Sequence, residues 1–468
     1  MLVLVAGVTG DLGTRMIETK SVSSHDVDGM GEAATASAPF NVFAYQREIV
    51  QLEESEQGGY WNVYLEVQSL LGIPRTYEKA RGRKVMVRWK GSVEDLRRHV
   101  LEARSKAAKS IKFKISTYDL RVTSKATKMV YLSEVRASNR QLTAATVPQV
   151  SVFVGATAGI GRAALSELIY TGFPVKVYII GRDEAAFKPI LSELQTSNPS
   201  ATLIFLQGEV SLMAEAKRLT DTILSRETYI DLLFLSAGFL PFLGRQEGIE
   251  LSTAVAYYSR QIFIRRLSPL LRAKAAKRDA DRLSFRPRIV NVLAAGAETS
   301  DLFLGDLQLK EPGHFSVPSY AGHVATMTSV SLKRLAEQAE NKDIVIIHHH
   351  PGLVSTDLFK KSWGDQWGET KQHGSVTAPA DIERSTPAEA GERSLYVMTS
   401  AKYGGEGAPM EEGQEAGLTV NGTKDGSLLC VGYKLETLSL GDLLNSLVDS
   451  GAADTIWGHT NKLIGRYL

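Results

Sequence analysis

Three glycines in the segment Gly155-Ala-Thr-Ala-Gly159-Ile-Gly161 constrain this chain more than any other feature. They lie directly between an apolar run, Val150–Val154, and a segment with helical character from Arg162 onward. Strand, tight turn and helix in that order build a cradle for an anion. The missing side chains let the backbone approach the bound group, and the first free N–H groups of the helix point at its negative charge. Glycine triplets are common by themselves; the strand before and the helix after give this one its meaning.

The same alternation continues downstream. Apolar runs at 175–180, 201–206, 231–235, 288–293 and 343–348 are short and nearly continuous, and each ends near glycine, serine or proline. Segments with helical spacing, such as 253–277 and 326–340, separate them. Strands that are apolar on both faces belong in a parallel sheet covered by helices on both sides. Right-handed crossovers then give an α/β, doubly wound, Rossmann-type sheet. A further apolar strand is expected around Leu428, after an irregular stretch.

The order of these signals resembles the short-chain dehydrogenase/reductase family. Gly-Arg follows the second strand (Gly181-Arg182), Ser236-Ala237-Gly238 follows the fourth, and Pro351-Gly352-Leu-Val354-Ser-Thr356 follows the sixth. The spellings Phe153 to Gly161, Leu232 to Gly238, Tyr257-Tyr258-Ser-Arg260 and Trp457-Gly-His-Thr460 are similar to fungal members associated with secondary metabolism. The resemblance spans roughly residues 129–468.

It implies a set of cofactor contacts. Gly155, Thr157, Gly159, Ile160 and Gly161 would form the pyrophosphate turn. Arg182 lies 21 residues past Gly161, where this fold reads the adenosine ribose. An arginine there attracts a 2′-phosphate, which favours NADP(H) over NAD, although the adjacent Asp183 favours the opposite choice. Glu209 and Val210 would flank the adenine. Ser236, Ala237 and Gly238 would lie under the ribose, and Val354 and Thr356 would meet the carboxamide and the phosphate.

Catalysis in the family uses a tyrosine, a lysine four residues on, a serine and an asparagine, and this chain departs from all four. Ala294 stands at the serine position. Counting back from Pro351-Gly352 places the tyrosine and lysine at Ala321 and Ala325, with Tyr320 one residue off and Val324 as its fourth follower. The asparagine position falls near Ala256 or Tyr257. Tyr320 is the expected proton donor, since a phenol with a pKa of about 10 stays protonated at neutral pH. His323, on the same helical face three residues later, is the expected substitute for the lysine. Tyr258, with Arg260, is a second candidate on the helix that borders the site. The reading is an NADP-dependent reductase acting on a ketone or alcohol of an apolar polyketide or terpenoid. The alternative is a cofactor-binding pseudoenzyme or regulatory module.

Composition sets the remaining bounds. The net charge of +2 argues against general nucleic-acid binding, and the single cysteine, Cys430, rules out an internal disulfide framework and fits a cytoplasmic setting. No apolar run reaches the ~20 residues of a membrane span. His348-His-His350 suggests a metal, but successive strand residues face opposite ways and cannot converge on one ion, so no metal is expected. The partner expected is a small-molecule substrate, and oligomeric state cannot be read.

Residues 1–128 read as a separate segment. Met1 to Arg15 form another strand, glycine turn and helix start, resembling the opening of isoflavone-reductase-like members of the same superfamily. The long helix and second strand that should follow are replaced by loop composition at 29–38, so this would be an incomplete α/β remnant. Residues 75–128 hold 17 Lys+Arg against 5 Asp+Glu, read as a solvated helix and strand, with a helix opening at Ser92. Residues 364–392 read as a substrate-covering loop.

Overall fold

The computed structural model describes residues 127–468 apart from 240–244, 282–284, 359–383, 425 and 427, together with short strands within 2–125. Two compact units divide the chain: residues 1–122 with 378–381, and residues 123–377 with 382–468.

In the first unit, Leu2–Val8 pairs antiparallel with Thr14–Lys20, which in turn pairs with Arg88–Trp89. Phe40–Ala44, Glu48–Glu54 and Trp61–Tyr64 form a separate antiparallel meander. The helix expected after Gly13 is therefore a strand. Thr14, Ile17 and Thr19 are β-branched and favour the extended chain, and the register Val8↔Thr14 closes a hairpin. The loop composition at 29–38 and the helix expected from Ser92 lie outside the described residues.

The second unit is built on a seven-stranded parallel sheet. Its strands are β1 (Val150–Val154), β2 (Lys176–Gly181), β3 (Thr202–Gln207), β4 (Leu232–Leu235), β5 (Arg288–Val292), β6 (Val345–His349) and β7 (Leu428–Val431), in the spatial order β3-β2-β1-β4-β5-β6-β7. The helices are α1 (Leu132–Arg140), α2 (Gly159–Tyr170), α3 (Glu184–Ser197), α4 (Met213–Leu224), α5 (Ser259–Asp281), α6 (Val317–Ala336), α7 (Pro387–Thr399), α8 (Gly441–Asp449) and α9 (Ala452–Ile464). Strand β1 has β2 on one side and β4 on the other, so the strand order reverses at its carboxyl end. In open α/β sheets that crevice is where ligands bind.

Both faces of the sheet are dry. Val150, Val152 and Val154 pack with α4, α5 and α6 on one side, while Phe153 meets Phe234 at 5.1 Å on the other. The alternation along β1 follows the two-residue period of a strand. Asp231, just before β4, is buried with its carboxylate accepting the Val150 N–H at 2.8 Å and pairing with Lys274 of α5 at 2.7 Å.

Two helices differ from their expected limits. Helix α6 begins well before Thr326: the Ser316 hydroxyl accepts the Ser319 N–H and Pro318 sits in the first turn, both strong start signals. The segment before α5 contains a π turn, Ala254–Tyr258. Such a wide turn rotates the residues after it relative to an ordinary helix and recurs at functional sites.

The carboxyl-terminal helix covers α5 and α6. Tyr257 Oη lies 2.7 Å from both Ser331 Oγ and Thr460 Oγ1, Arg265 donates to Asn461, and Arg334 pairs with Asp454. The strand Ser124–Lys125 pairs antiparallel with Leu438–Ser439, and Thr127 and Thr437 join their hydroxyls at 3.2 Å.

Candidate active site

At the carboxyl edge of β1 the glycine turn and the corner after β4 form one packed piece. The Val154 carbonyl accepts the N–H groups of both Ser236 and Ala237 at 2.9 Å. Gly155 has φ +93°, and a Cβ there would lie 2.3 Å from the Ala237 nitrogen. At Gly161 a Cβ would lie 2.2 Å from Ser236 Oγ and 2.5 Å from the Gly155 carbonyl. No side chain other than hydrogen fits either place. Gly159, at φ +58°, faces Thr356, and Thr157 packs over Gly181. Ile160 packs against the apolar cluster on its face of the sheet.

Helix α2 thus begins inside a crevice ringed by Gly155, Ser236, Ala237 and Thr356. Its N-cap is Ala158, which has no side chain to satisfy the first-turn N–H groups, and that turn carries no acid. An anion is the group such an end accommodates. Val354 bridges to Ser385, with Ser355 donating to Ser385 and Ser385 to Leu353, so the Val354 peptide groups face away from that bridge.

Arg182 is 75% exposed at the end of β2, with Glu209 3.7 Å away. Asp183, the residue that favoured the other cofactor, is the N-cap of α3 and accepts the Ala186 N–H at 2.9 Å. Its carboxylate is engaged in that cap, which leaves the guanidinium as the exposed cation at this corner. Glu209 also accepts the Ser211 N–H, and Val210 is buried beside it. Gly238 lies near the Arg260 guanidinium, 3.9 Å from where its Cβ would be.

A second cavity-lining group lies at the start of α6. Tyr320 and His323 share a cavity of about 120 Å³ with Glu250, Thr253, Leu307, Gln308, Leu309, Phe315 and Val324. Burial pushes the Tyr320 phenol well above its usual range; Glu250 adds to the rise, while Ser252, Arg260 and Thr253 oppose it. Glu250 spends its carboxylate on the N–H and hydroxyl groups of Ser252 and Thr253, which start the helix leading to the π turn.

His323 does not take the lysine's part. It is 1% exposed, and burial drives its pKa down to about 4, with Asp306 opposing and His314 reinforcing. Its Nε2 accepts the Phe303 N–H at 3.0 Å, so the ring is neutral and protonated at Nδ1. The nearby cation is Arg260, 3% exposed on α5. Arg260 donates to the carbonyls of Val255, Val292 and Ala237 and to Asn291 Oδ1, tying the ends of β4 and β5 to the helix. Burial lowers its pKa to about 10, and the Tyr320 phenol is the group that offsets this.

Tyr258 is not brought to this cavity. The π turn aims it at α9, where its hydroxyl lies 2.9 Å from His459 Nε2. Tyr257 is likewise committed to Ser331 and Thr460.

The loop after β5, at the position of the family's serine, is held from below. The Ala294 N–H donates to His348 Nε2 at 3.3 Å and the Gly296 N–H to Glu298 at 2.6 Å. The Ser329 hydroxyl links Glu298 at 2.6 Å and His348 Nδ1 at 2.7 Å, with Cys430 Sγ at 3.7 Å. Sequence reasoning missed this buried cluster because its members come from one loop, one helix and two strands. His349 instead approaches the Val431 carbonyl, and His350 faces Tyr433, so the three histidines diverge as alternation requires. The substrate-covering loop expected at 364–392 lies outside the described residues up to 383.

Known proteins place this site in context. Residues 149–279 match the family described as short chain dehydrogenase. Oxidoreductase AN1596 of Emericella nidulans is 32% identical, across 72% of this chain and 98% of its own length. Oxidoreductase lepF of Aspergillus flavus is 37% identical, across 49% of this chain and 64% of its own. Among solved structures, an NADPH-bound carbonyl reductase from chicken fatty liver is 18% identical, with 63% of this chain and 99% of that one covered at a TM-score of 0.42.

Proposed function

This chain belongs to the short-chain dehydrogenase/reductase family, and we propose that it is an NADP-dependent oxidoreductase interconverting a ketone and a secondary alcohol on an apolar secondary metabolite, of polyketide or terpenoid type. The observation that carries this reading is the pairing of an uncapped helix end in a glycine-only crevice with a half-buried tyrosine lining a cavity that has apolar walls on one part of its lining.

The residues present fit a dinucleotide phosphate. Gly155, Gly159, Gly161, Thr157 and Ile160 form the turn, Ser236, Ala237 and Gly238 the floor, and Val354 and Thr356 the facing loop. Arg182 supplies the charge for a 2′-phosphate, with Asp183 removed from competition by its capping bond, and Glu209 and Val210 lie beside it. When bound, the nicotinamide supplies the hydride to the carbonyl carbon.

Tyr320 supplies the proton to the carbonyl oxygen. The phenol is protonated at neutral pH, the state reduction requires, and the burial that raises its pKa is offset in part by Ser252, Arg260 and Thr253. The phenolate left behind faces Arg260, the cation that stands where the lysine is missing. Leu307, Leu309, Phe315 and Val324 give the cavity its apolar walls. Residues 1–128 are an accessory segment to a reductase domain at 129–468. Among the described residues no helix is long and apolar enough to cross a membrane.

The test is calorimetric titration with NADPH and NADH, followed by NADPH oxidation with camphorquinone, a bulky apolar diketone. Tight NADPH binding with turnover supports the reading. NADPH binding with no turnover on any bulky ketone selects the pseudoenzyme.

A further inference from the structure

The His323 ring is arranged to do one thing only. Its Nε2 is occupied by the Phe303 N–H at 3.0 Å, which leaves the proton on Nδ1. That Nδ1 is buried with no hydrogen-bond partner among the described residues, and the ring lines the cavity that Tyr320 also lines. A buried N–H without an acceptor is destabilising, and an oxygen entering the cavity would relieve that.

We infer that His323 is a fixed neutral hydrogen-bond donor to the substrate's carbonyl oxygen, taking the polarising role that Ala294 cannot fill. It holds its proton throughout and moves none. The inference rests on the reading of Tyr320 as proton donor, and it adds a second donor aimed at the same oxygen. Ala294, at the family's serine position, offers only a methyl group and gives its N–H to His348.

The surroundings fix both the orientation and the charge state of the ring. Phe303 stacks on His323 at 5.6 Å and on His314 at 3.9 Å, so the imidazole is held in a three-ring stack. Asp306 and His314 face it from the loop before α6, and Asp306 spends its carboxylate on the N–H groups of Lys310 and Glu311 and on His314. Glu250 is bound to Ser252 and Thr253 across the cavity. The ring is therefore neutral at physiological pH, with burial as the main cause. A neutral donor favours an oxygen acceptor that gains negative charge during reaction, as a ketone oxygen does. The substrate class implied is a ketone whose flanking carbons are apolar and fit between Leu307, Phe315 and Val324.

The experiment uses the full chain labelled with ¹⁵N at histidine. Long-range ¹⁵N–¹H spectra should show His323 as the Nδ1–H tautomer at pH 7, neutral down to about pH 5, and its Nδ1 proton should move downfield when NADP⁺ and camphorquinone are added together. An Nε2–H tautomer, a charged ring at pH 6, or no response to the diketone overturns the inference. Two variants separate chemistry from packing. His323→Asn keeps an N–H near the Nδ1 position and should retain turnover within about 10-fold, whereas His323→Phe should lose about 10²–10³-fold in kcat. Both should bind NADPH like the native chain. Equal turnover in the Phe variant contradicts the inference while leaving the cofactor reading intact. Loss of NADPH binding by the native chain contradicts the cofactor reading itself.

Discussion

The glycine turn at the sheet's carboxyl edge and the cavity beside Tyr320 obey opposite rules. At the glycine turn, backbone atoms 2.3–2.5 Å and the Ser236 Oγ 2.2 Å from where a Cβ would stand decide which residues are possible, and only glycine satisfies them. At the Tyr320 end, function depends on side chains from α5, α6 and the loop before α6 meeting across space, so the same duties can be redistributed among different residue types. The phosphate end keeps the family's spelling, while at the carbonyl end the proposed reading assigns the lysine's charge to Arg260 and the serine's polarity to His323. A site built from backbone geometry resists substitution; one built from side-chain charge and reach tolerates exchange.

Gly155→Ala breaks the first end most severely. The methyl would collide with the Ala237 backbone at a φ of +93°, so a stability loss of about 3 kcal/mol is expected, together with loss of NADPH binding. Urea unfolding and calorimetry check both.

Arg182→Ala sharpens the contrast without disturbing the fold, because the side chain is exposed. Removing one charge-assisted bond to a phosphate is worth about 1.5–3 kcal/mol, so NADPH affinity should fall roughly 10- to 100-fold while NADH affinity stays the same. Equal losses for both cofactors would assign 2′-phosphate recognition elsewhere.

Acidification separates a histidine of the site from one of the sheet. The pKa of His323 is lowered to about 4 and that of His349 to about 3, from 6.5, burial being the main cause of each. Between pH 6.5 and about 4 the unfolded chain takes up protons that the folded chain refuses, so stability falls as pH falls through that window. Each group contributes a slope of up to about 1.4 kcal/mol per pH unit. Urea titrations at pH 6.5 and 5 should show it, and His323→Asn should remove its share while His349 retains its own.

The smallest effect concerns where the reductase unit begins. A chain starting at Thr123 keeps the Ser124–Lys125 strand and the Thr127–Thr437 bond, and one starting at Met129 loses both. The shorter chain should be less stable by about 1–2 kcal/mol in parallel thermal melts, with NADPH affinity unchanged. Equal stability would show that this strand contributes nothing.

Legibility in the sequence divides along the same line. All seven strands of the sheet, the glycine turn and the corner at Ser236–Gly238 are legible because each is a local signal of apolar run and turn residue. Counting back from Pro351-Gly352 reaches Ala321, and Tyr320 stands one residue away, lining the cavity. Tyr258 was misplaced because a π turn leaves no mark in spacing, and its single extra residue directs both tyrosines toward α9. That His323 is neutral is not legible in the sequence, because nothing local announces that the Phe303 N–H will meet one of its nitrogens. Arg260 stood in view as a neighbour of Tyr258. Its approach to the ends of β4 and β5 depends on residues far along the chain. The cluster of Glu298, Ser329, His348 and Cys430 was hidden for the same reason. The hairpin at residues 2–20 shows the converse: a glycine turn after a strand does not dictate a helix when the next residues are β-branched.

The most direct test of the central claim, that catalytic duty is centred on Tyr320 while the cofactor end stands unchanged, is Tyr320→Phe. Its NADPH affinity and its rate of camphorquinone-dependent NADPH oxidation would be measured beside the native chain. Unchanged affinity is expected, with a rate lower by about 10²–10⁴-fold, the contribution of a positioned proton donor. Native turnover in the variant would contradict it.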